Sequence, residues 1–324
     1  MQKLNELALE KAKTLLANGT VARVLGWKKG ELGYDLEPAV FYSESDLEGF
    51  IYNAFSGANL SKYLIEESKK EGKVLVFLKP CDSYSFNQLV KEHRIVKENV
   101  YTVGIECQGK LDVKKLKEKG IEIVDGVIEN VDDVTVISLG KEYNFVKEEV
   151  LLGKCSVCEK HLLSYDEVIS LHDKRTPKLD RFEIVKKLEA MTADERYAFW
   201  KGELSKCIRC NACRNVCPAC NCLKCVFDND ASGIASKANS DSFEEKLFHI
   251  IRAFHVAGRC TDCGECSRVC PQAIPLHLLN RKFISDINRL YGEFQAGEDD
   301  VTKGPLTAYT TGDAEPSEVF GGNK

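Results

Sequence analysis

The 324-residue sequence has no run approaching the roughly 18 consecutive apolar residues of a membrane-crossing helix. Its start, Met1-Gln2-Lys3-Leu4-Asn5-Glu6, has neither the apolar core nor the cleavage site of a secretory leader. These absences predict a cytoplasmic chain without a membrane span. Basic excess is also missing: 45 Lys and Arg stand against 50 Asp and Glu, a net charge of −5. The electrostatic footprint of a nucleic-acid binder is therefore absent, and no nucleic-acid partner is expected. No Gly-x-Gly-x-x-Gly, Gly-x-x-x-x-Gly-Lys-Ser/Thr or His-Glu-x-x-His occurs. That argues against a self-contained Rossmann dinucleotide enzyme, a P-loop and a zincin-type metal site.

What the sequence has in excess is cysteine, fifteen in all. With no export signal and with metal-ligand spacings, these read as free thiols for metals in a reducing compartment rather than as disulfides. At roughly 150 residues per domain the length suggests two domains. The cysteine density places the boundary: four lie in residues 1–180 and eleven in residues 207–270. The change falls near the polar stretch around residues 172–177. The expected domains are 1–180, 181–295 and a flexible or partner-docking tail at 296–324, where Gly, Thr, Asp and Pro accumulate.

The first domain reads as α/β. Leu4, Leu7, Ala8, Ala12, Leu15 and Leu16 recur at helical spacing before the stop signal Asn18-Gly19. Strands are predicted over residues 21–25, 73–78, 99–105, 121–124 and 134–139, and helices over 47–53 and 61–70. The second domain reads as helical, with a helix over residues 193–204. An apolar face of Phe243, Leu247, Ile250, Ile251 and Phe254 follows, and another of Leu278, Leu279, Phe283, Ile284, Ile287 and Leu290.

Two cysteine runs carry the most specific signal. One is Cys207-x2-Cys210-x2-Cys213-x3-Cys217-Pro218, the other Cys260-x2-Cys263-x2-Cys266-x3-Cys270-Pro271. This is the bacterial ferredoxin spacing, in which the fourth cysteine of each run serves the other cluster. Three cysteines wrap one cube in a tight loop, and the chain then carries the fourth away. The expected ligands are Cys207, Cys210, Cys213 and Cys270 for one [4Fe–4S] cluster. Cys260, Cys263, Cys266 and Cys217 are expected for the second. Zinc takes four thiolates but has no need of a duplicated four-cysteine run. Residues 218–259 separate the runs. That separation, and Ile274-Pro275-Leu276-His277-Leu278-Leu279-Asn280-Arg281 after the last cysteine, resemble the α-helical ferredoxin domains of fumarate reductase and of the heterodisulfide reductase C subunit.

The N-terminal cysteines are each weak signals alone. Cys81 and Cys107 end predicted strands, where sites form on α/β sheets. A cysteine there is often only a small buried hydrophobe. Cys155-x2-Cys158 reads equally as redox-active or zinc-binding. Brought together at one sheet edge, the four would complete a third cubane. Pro80-Cys81 after one strand, Gly104-Ile105-Glu106-Cys107 after the next, Cys155-x2-Cys158 further on and Asn59-Leu60-Ser61-Lys62-Tyr63 together resemble the coenzyme F420-reducing hydrogenase β-subunit family. That family includes the F420-linked formate dehydrogenase β subunit, and the resemblance spans roughly residues 8–165. It implies an N-terminal α/β domain in which Cys81, Cys107, Cys155 and Cys158 hold a [4Fe–4S] cluster beside FAD. Leu78-Lys79-Pro80-Cys81-Asp82 stands where the family often has Gly-Thr-Pro-Cys-Gln, and Pro-Cys-Asp is closer to the sulfhydrogenase β pattern.

Cys220, Cys222 and Cys225 have no assigned place. They read as packed thiols that tune the clusters, as ligands of another metal with a histidine, or as replacements for an assigned ligand. No fourth cluster is expected. The functional expectation is an iron–sulfur relay subunit rather than a stand-alone catalyst. Its expected partners resemble hydrogenase, formate dehydrogenase, a flavin-dependent NADH module or heterodisulfide reductase-type bifurcating subunits. The alternative is a flavin-bearing reductase of F420 or a related two-electron carrier.

Overall fold

The computed structural model describes residues 1–130, 132–163, 165–172, 176–177, 179–229 and 242–308, and of 242–245 only the backbone. The chain divides into two compact units, Met1–Asp180 and Arg181–Lys324.

In the first unit, helix α1 (Gln2–Ala17) buries Leu4, Ala8, Ala12 and Leu15 along one stripe and stops at Asn18. Gly19 follows at φ 72°, a left-handed turn that favours glycine. Strands β1 (Arg23–Lys29), β2 (Leu36–Phe41), β3 (Val74–Leu78) and β4 (Val100–Ile105) follow. β5 (Gly126–Glu129), β6 (Asp133–Ser138) and β7 (Lys141–Val146) form a separate antiparallel sheet. β8 (Glu167–Ile169) returns to the first sheet, whose order is β2-β1-β3-β4-β8. Only β2 is antiparallel there; β1, β3, β4 and β8 pair in parallel. Every residue of β3 is buried, as a central parallel strand requires. Helix α2 (Pro80–Lys91) leaves β3 after a single residue, with Pro80 in its first turn, where the missing N–H costs nothing.

Several local expectations differ from what forms. Residues 47–53 make only the 3-10 turn Asp46–Gly49; Phe50 is then extended, and the Ile51 N–H donates to the Trp27 carbonyl. Sheet-edge pairing has won over helical spacing there. Residues 61–70 form one 3-10 turn and one α turn, ending at Glu67. Residues 121–124 are not a strand. The Ile121 N–H closes the turn on the Leu116 carbonyl, and pairing begins only at Gly126.

The second unit is helical: α3 (Glu183–Glu189), α4 (Ala193–Leu204), α5 (Ser242–His255) and α6 (Leu276–Tyr291). Thr192 and Glu195 form a reciprocal capping box that starts α4. Within 296–308, Ala296 is buried, and a side chain at Gly304 would press on the Gly258 carbonyl at 3.2 Å. The rest of the expected tail, 309–324, lies outside the described residues. Among the described residues no helix is long and apolar enough to cross a membrane.

Candidate metal centres

Parallel pairing brings the first two N-terminal cysteines together. Leu78 of β3 lies beside Gly104 of β4, so the carboxyl ends of both strands open on one edge. Cys81 follows in the first turn of α2, and Cys107 two residues after β4. The chain beyond Cys107 then pairs with a later segment. Leu111 bridges Leu151, and the Leu152 N–H donates to the Lys110 carbonyl at 2.8 Å. That pairing delivers the single turn Gly153–Ser156, with Cys155, and then Cys158. Gly109 makes the approach possible. It sits at φ 96°, and a Cβ there would lie 2.7 Å from Leu151 Cδ2. Cys81, Cys107, Cys155 and Cys158 all line one cavity.

The same cavity is lined by Lys79, Lys110, Lys154 and Lys160. Lys79 is buried against Asp82, Nζ to Oδ2 2.7 Å, and also donates to the Ala58 carbonyl. The Asn59–Tyr63 segment supports this turn: the Ser61 hydroxyl donates to the Asp82 carbonyl, and the Asn59 amide to the Ser85 hydroxyl. Lys110 is different. Its Nζ donates to the Asn53 carbonyl at 2.7 Å and lies 3.8 Å from the centre of the Tyr52 ring, but among the described residues it has no carboxylate partner. Burial is offset only in part by Cys107 and then Glu129, and a buried cation short of an anion is costly. Burial pushes the Cys81 thiol well up and that of Cys155 up to about 12, while Lys154 works against both shifts. Four thiolates on a cluster are the anion such a cavity fits.

The C-terminal runs fold as two copies of one loop. Arg209 and Asn211 have φ of 54° and 61°; Asp262 and Gly264, at the matching positions, have 55° and 66°. Non-glycine residues there indicate a functional constraint. Such alternation turns successive backbone N–H groups into one concavity, a nest for anions and Fe–S sites. The Arg209 N–H donates to Cys207 Sγ at 3.4 Å, and the Asp262 N–H to Cys260. Each loop then enters one helical turn, Ala212–Asn215 or Glu265–Arg268.

Cys207, Cys210 and Cys213 share a cavity with Cys270 from the other run. Cys217, from the first run, is buried beside Cys260 with Ala219 and Val256, and its charge bears on the thiols of Cys260 and Cys266. Among the described residues no group of three or more His, Cys, Asp or Glu is arranged for a single metal ion. Thiols ringing a void suit a cube, which binds each at a separate iron. Of the three unassigned cysteines, Cys220 packs against the hydrophobic cluster of Cys217, Ala219 and Val256, Cys222 is exposed, and Cys225 is hydrogen-bonded to Arg214.

Sequence reading missed the cavity lysines and three polar residues of the helices: His249, Arg252 and Asn280. His249 Nε2 is 3.2 Å from Cys207 Sγ, and Asn280 Nδ2 is 3.8 Å from Cys266 Sγ. Burial, then Arg252 and Arg209, lowers His249 to about 3.

Residues 203–274 match the family described as the 4Fe-4S dicluster domain. The F420-dependent formate dehydrogenase subunit beta of Methanocaldococcus jannaschii is 25% identical over 327 residues, covering 82% of this chain and 84% of that protein. The F420-dependent formate dehydrogenase 1 subunit beta of Methanococcus maripaludis is 25% identical over 280 residues, covering 67% and 72%. A chain of the F420-reducing [NiFe] hydrogenase complex from Methanosarcina barkeri aligns with a TM-score of 0.39 at 17% identity, over 47% of this chain and 58% of that one. The protein therefore carries a 4Fe-4S dicluster domain within a chain similar, over most of its length, to F420-dependent formate dehydrogenase beta subunits.

Proposed function

We propose that this chain is the iron–sulfur electron-transfer subunit of a multi-subunit oxidoreductase. Cys207, Cys210, Cys213 and Cys270 hold one [4Fe–4S] cluster, and Cys217, Cys260, Cys263 and Cys266 a second. Cys81, Cys107, Cys155 and Cys158 hold a third. The observation that carries the reading is Cys270 lining the cavity of the first run. A closing ligand lent by the other run is the ferredoxin arrangement.

A bound cubane supplies reversible one-electron exchange. The chain's own part is to bury the thiols, to donate backbone N–H groups to them and to provide buried positive charge. The subunit acts as a cytoplasmic relay within a complex. Its similarity to formate dehydrogenase beta subunits favours a formate dehydrogenase-type partner over a hydrogenase, an NADH module or heterodisulfide reductase-like subunits.

The F420-dependent naming of those relatives favours one second reading, an FAD-bearing reductase of F420. Anaerobic quantitation of iron, sulfide and flavin per chain decides. About twelve irons without flavin is the expected result, at four per cluster. About eight would remove the N-terminal cluster, and zinc in place of iron would overturn the relay. Released FAD with F420-dependent dye reduction would establish the second reading.

A further inference from the structure

Helix α5 buries Phe248 and packs Ile251 against the core of its unit, but part of its inward face is polar. The apolar face legible in the sequence includes Ile250 and Phe254, yet these are 44% and 61% exposed. Phe248, His249, Arg252 and Ala253 are buried instead. Apolar burial accounts for Phe248 and Ala253, but a buried histidine and arginine beside an exposed isoleucine and phenylalanine need a polar reason.

We propose that α5 is the electrostatic support of both C-terminal clusters. Arg252 is a cation shared by the two, His249 is a hydrogen-bond donor to the first alone, and together they set the reduction potentials. The inference rests on reading residues 207–270 as two cluster sites.

His249 lines the cavity of Cys207, Cys210, Cys213 and Cys270, with Nε2 3.2 Å from Cys207 Sγ. A ligating thiolate carries no proton and only accepts, so Nε2–H donates. Nδ1 is buried without a partner. A histidine kept for packing has no reason to aim one nitrogen at sulfur and leave the other unsatisfied.

Arg252 lies three residues on, one helical turn along the same face. Its Nη2 donates to the Cys213 carbonyl at 3.3 Å, while Nε has no partner. Among the described residues no carboxylate pairs with it, which sets it apart from its neighbours. Asp262 is paired by Arg181 and Arg281, Glu265 by Arg268, and Arg214 by Asp228. Beside the Cys213 carbonyl contact at the first site, the charges that favour the protonated form of Arg252 against burial are those of Cys266 and Cys217 from the second site, Cys213 from the first, and the unassigned Cys220. A buried guanidinium whose surroundings are thiols needs those thiols as thiolates. Reduction adds one negative charge to a cluster. A nearby cation, or a donor to a ligand sulfur, favours the reduced form and raises the potential.

The test is an EPR-monitored redox titration of the full, anaerobically reconstituted chain, after iron and sulfide have been counted for each variant. The C-terminal pair is recognised by the mutual broadening of its signals. In Arg252→Gln, which keeps a polar amide donor but loses the charge, both C-terminal midpoints should fall. At the original midpoint the oxidised-to-reduced ratio should rise about tenfold, or about 59 mV for one electron. Arg252→Lys should restore most of the shift. His249→Leu should lower one C-terminal midpoint and leave the other in place. The N-terminal signal should not move in any variant. Wild-type midpoints in iron-replete Arg252→Gln overturn the proposal, as does an equal shift in Arg252→Lys. If Arg252→Gln does not load iron, His249→Leu decides alone: an unmoved midpoint, or two equally moved, overturns it. A wild-type chain without cubane signals would instead refute the cluster reading itself.

Discussion

If Cys81, Cys107, Cys155 and Cys158 hold the proposed cluster, Lys110 ties folding to that cofactor. Its ammonium is buried among cysteines and has no carboxylate partner among the described residues. Without the cluster it is a desolvated charge, and burial lowers its affinity for the proton. Lys110→Met should therefore separate two quantities that a purely structural lysine would move together. Iron content should fall from about twelve to about eight atoms per chain. The chelated apoprotein should be no less stable in urea, and up to about 2 kcal/mol more stable. A fall in both would mean that the lysine serves packing alone. Gly109 is the second such residue. At φ 96°, with a Cβ position 2.7 Å from Leu151 Cδ2, it admits no side chain. Gly109→Ala should cost about 1–3 kcal/mol in denaturant unfolding and should lower iron retention at the Cys107–Cys155 site.

At the scale of elements, α4 begins where the sequence predicts because its cap is local. The Thr192 hydroxyl accepts from the Glu195 N–H, and the Glu195 carboxylate accepts from the Thr192 N–H. Thr192→Ala should destabilise the second unit by about 1 kcal/mol, read as a lower denaturant midpoint with unchanged slope. The Glu195 carboxyl is held below its usual 4.5, first by the Thr192 N–H and then by its hydroxyl. Its contribution is therefore present above that value and is lost as pH falls through the lower, folded value. The difference between Thr192→Ala and wild type should shrink under that acidification; a constant difference would argue against the reciprocal cap. α5 teaches the opposite lesson. Its periodicity announces a helix, but the face that turns inward carries His249 and Arg252 beside Cys207 and Cys213, residues distant in the chain. Residues 121–124 fail as a strand for a related reason: Ile121 and Val124 are buried in the core of the small sheet's region without pairing as strands. Apolar burial and strand pairing leave the same mark on a short segment.

At the scale of the whole molecule the two units differ in what fills their cores. The first has an ordinary aliphatic and aromatic core around Trp27, Phe41, Phe50 and Phe77. The second is small, and Cys213, Cys266 and Cys270 are themselves part of its core beside Leu204, Phe248 and Ile274. Chelation should therefore loosen the second unit first, since metal binding there contributes directly to folding. Limited proteolysis of the chelated chain should cut between residues 181 and 308 while 1–180 survives. Equal resistance of both units would show that the second unit's core stands without its metal.

Local sequence determined a good deal of this protein. The duplicated four-cysteine runs, the Asn18-Gly19 stop, the helix at 193–204 and the buried strand at 74–78 are all legible because spacing or local chemistry enforces them within a few residues. Tertiary structure decided the rest. It seated Cys270 with Cys207, gathered Cys81, Cys107, Cys155 and Cys158 with four lysines in one cavity, and turned His249 and Arg252 inward. The physical reason is that a buried charge is tolerable only beside its counter-charge. On the proposed cluster reading, the counter-charge comes from ligating cysteines that pairing and packing bring in from elsewhere in the chain.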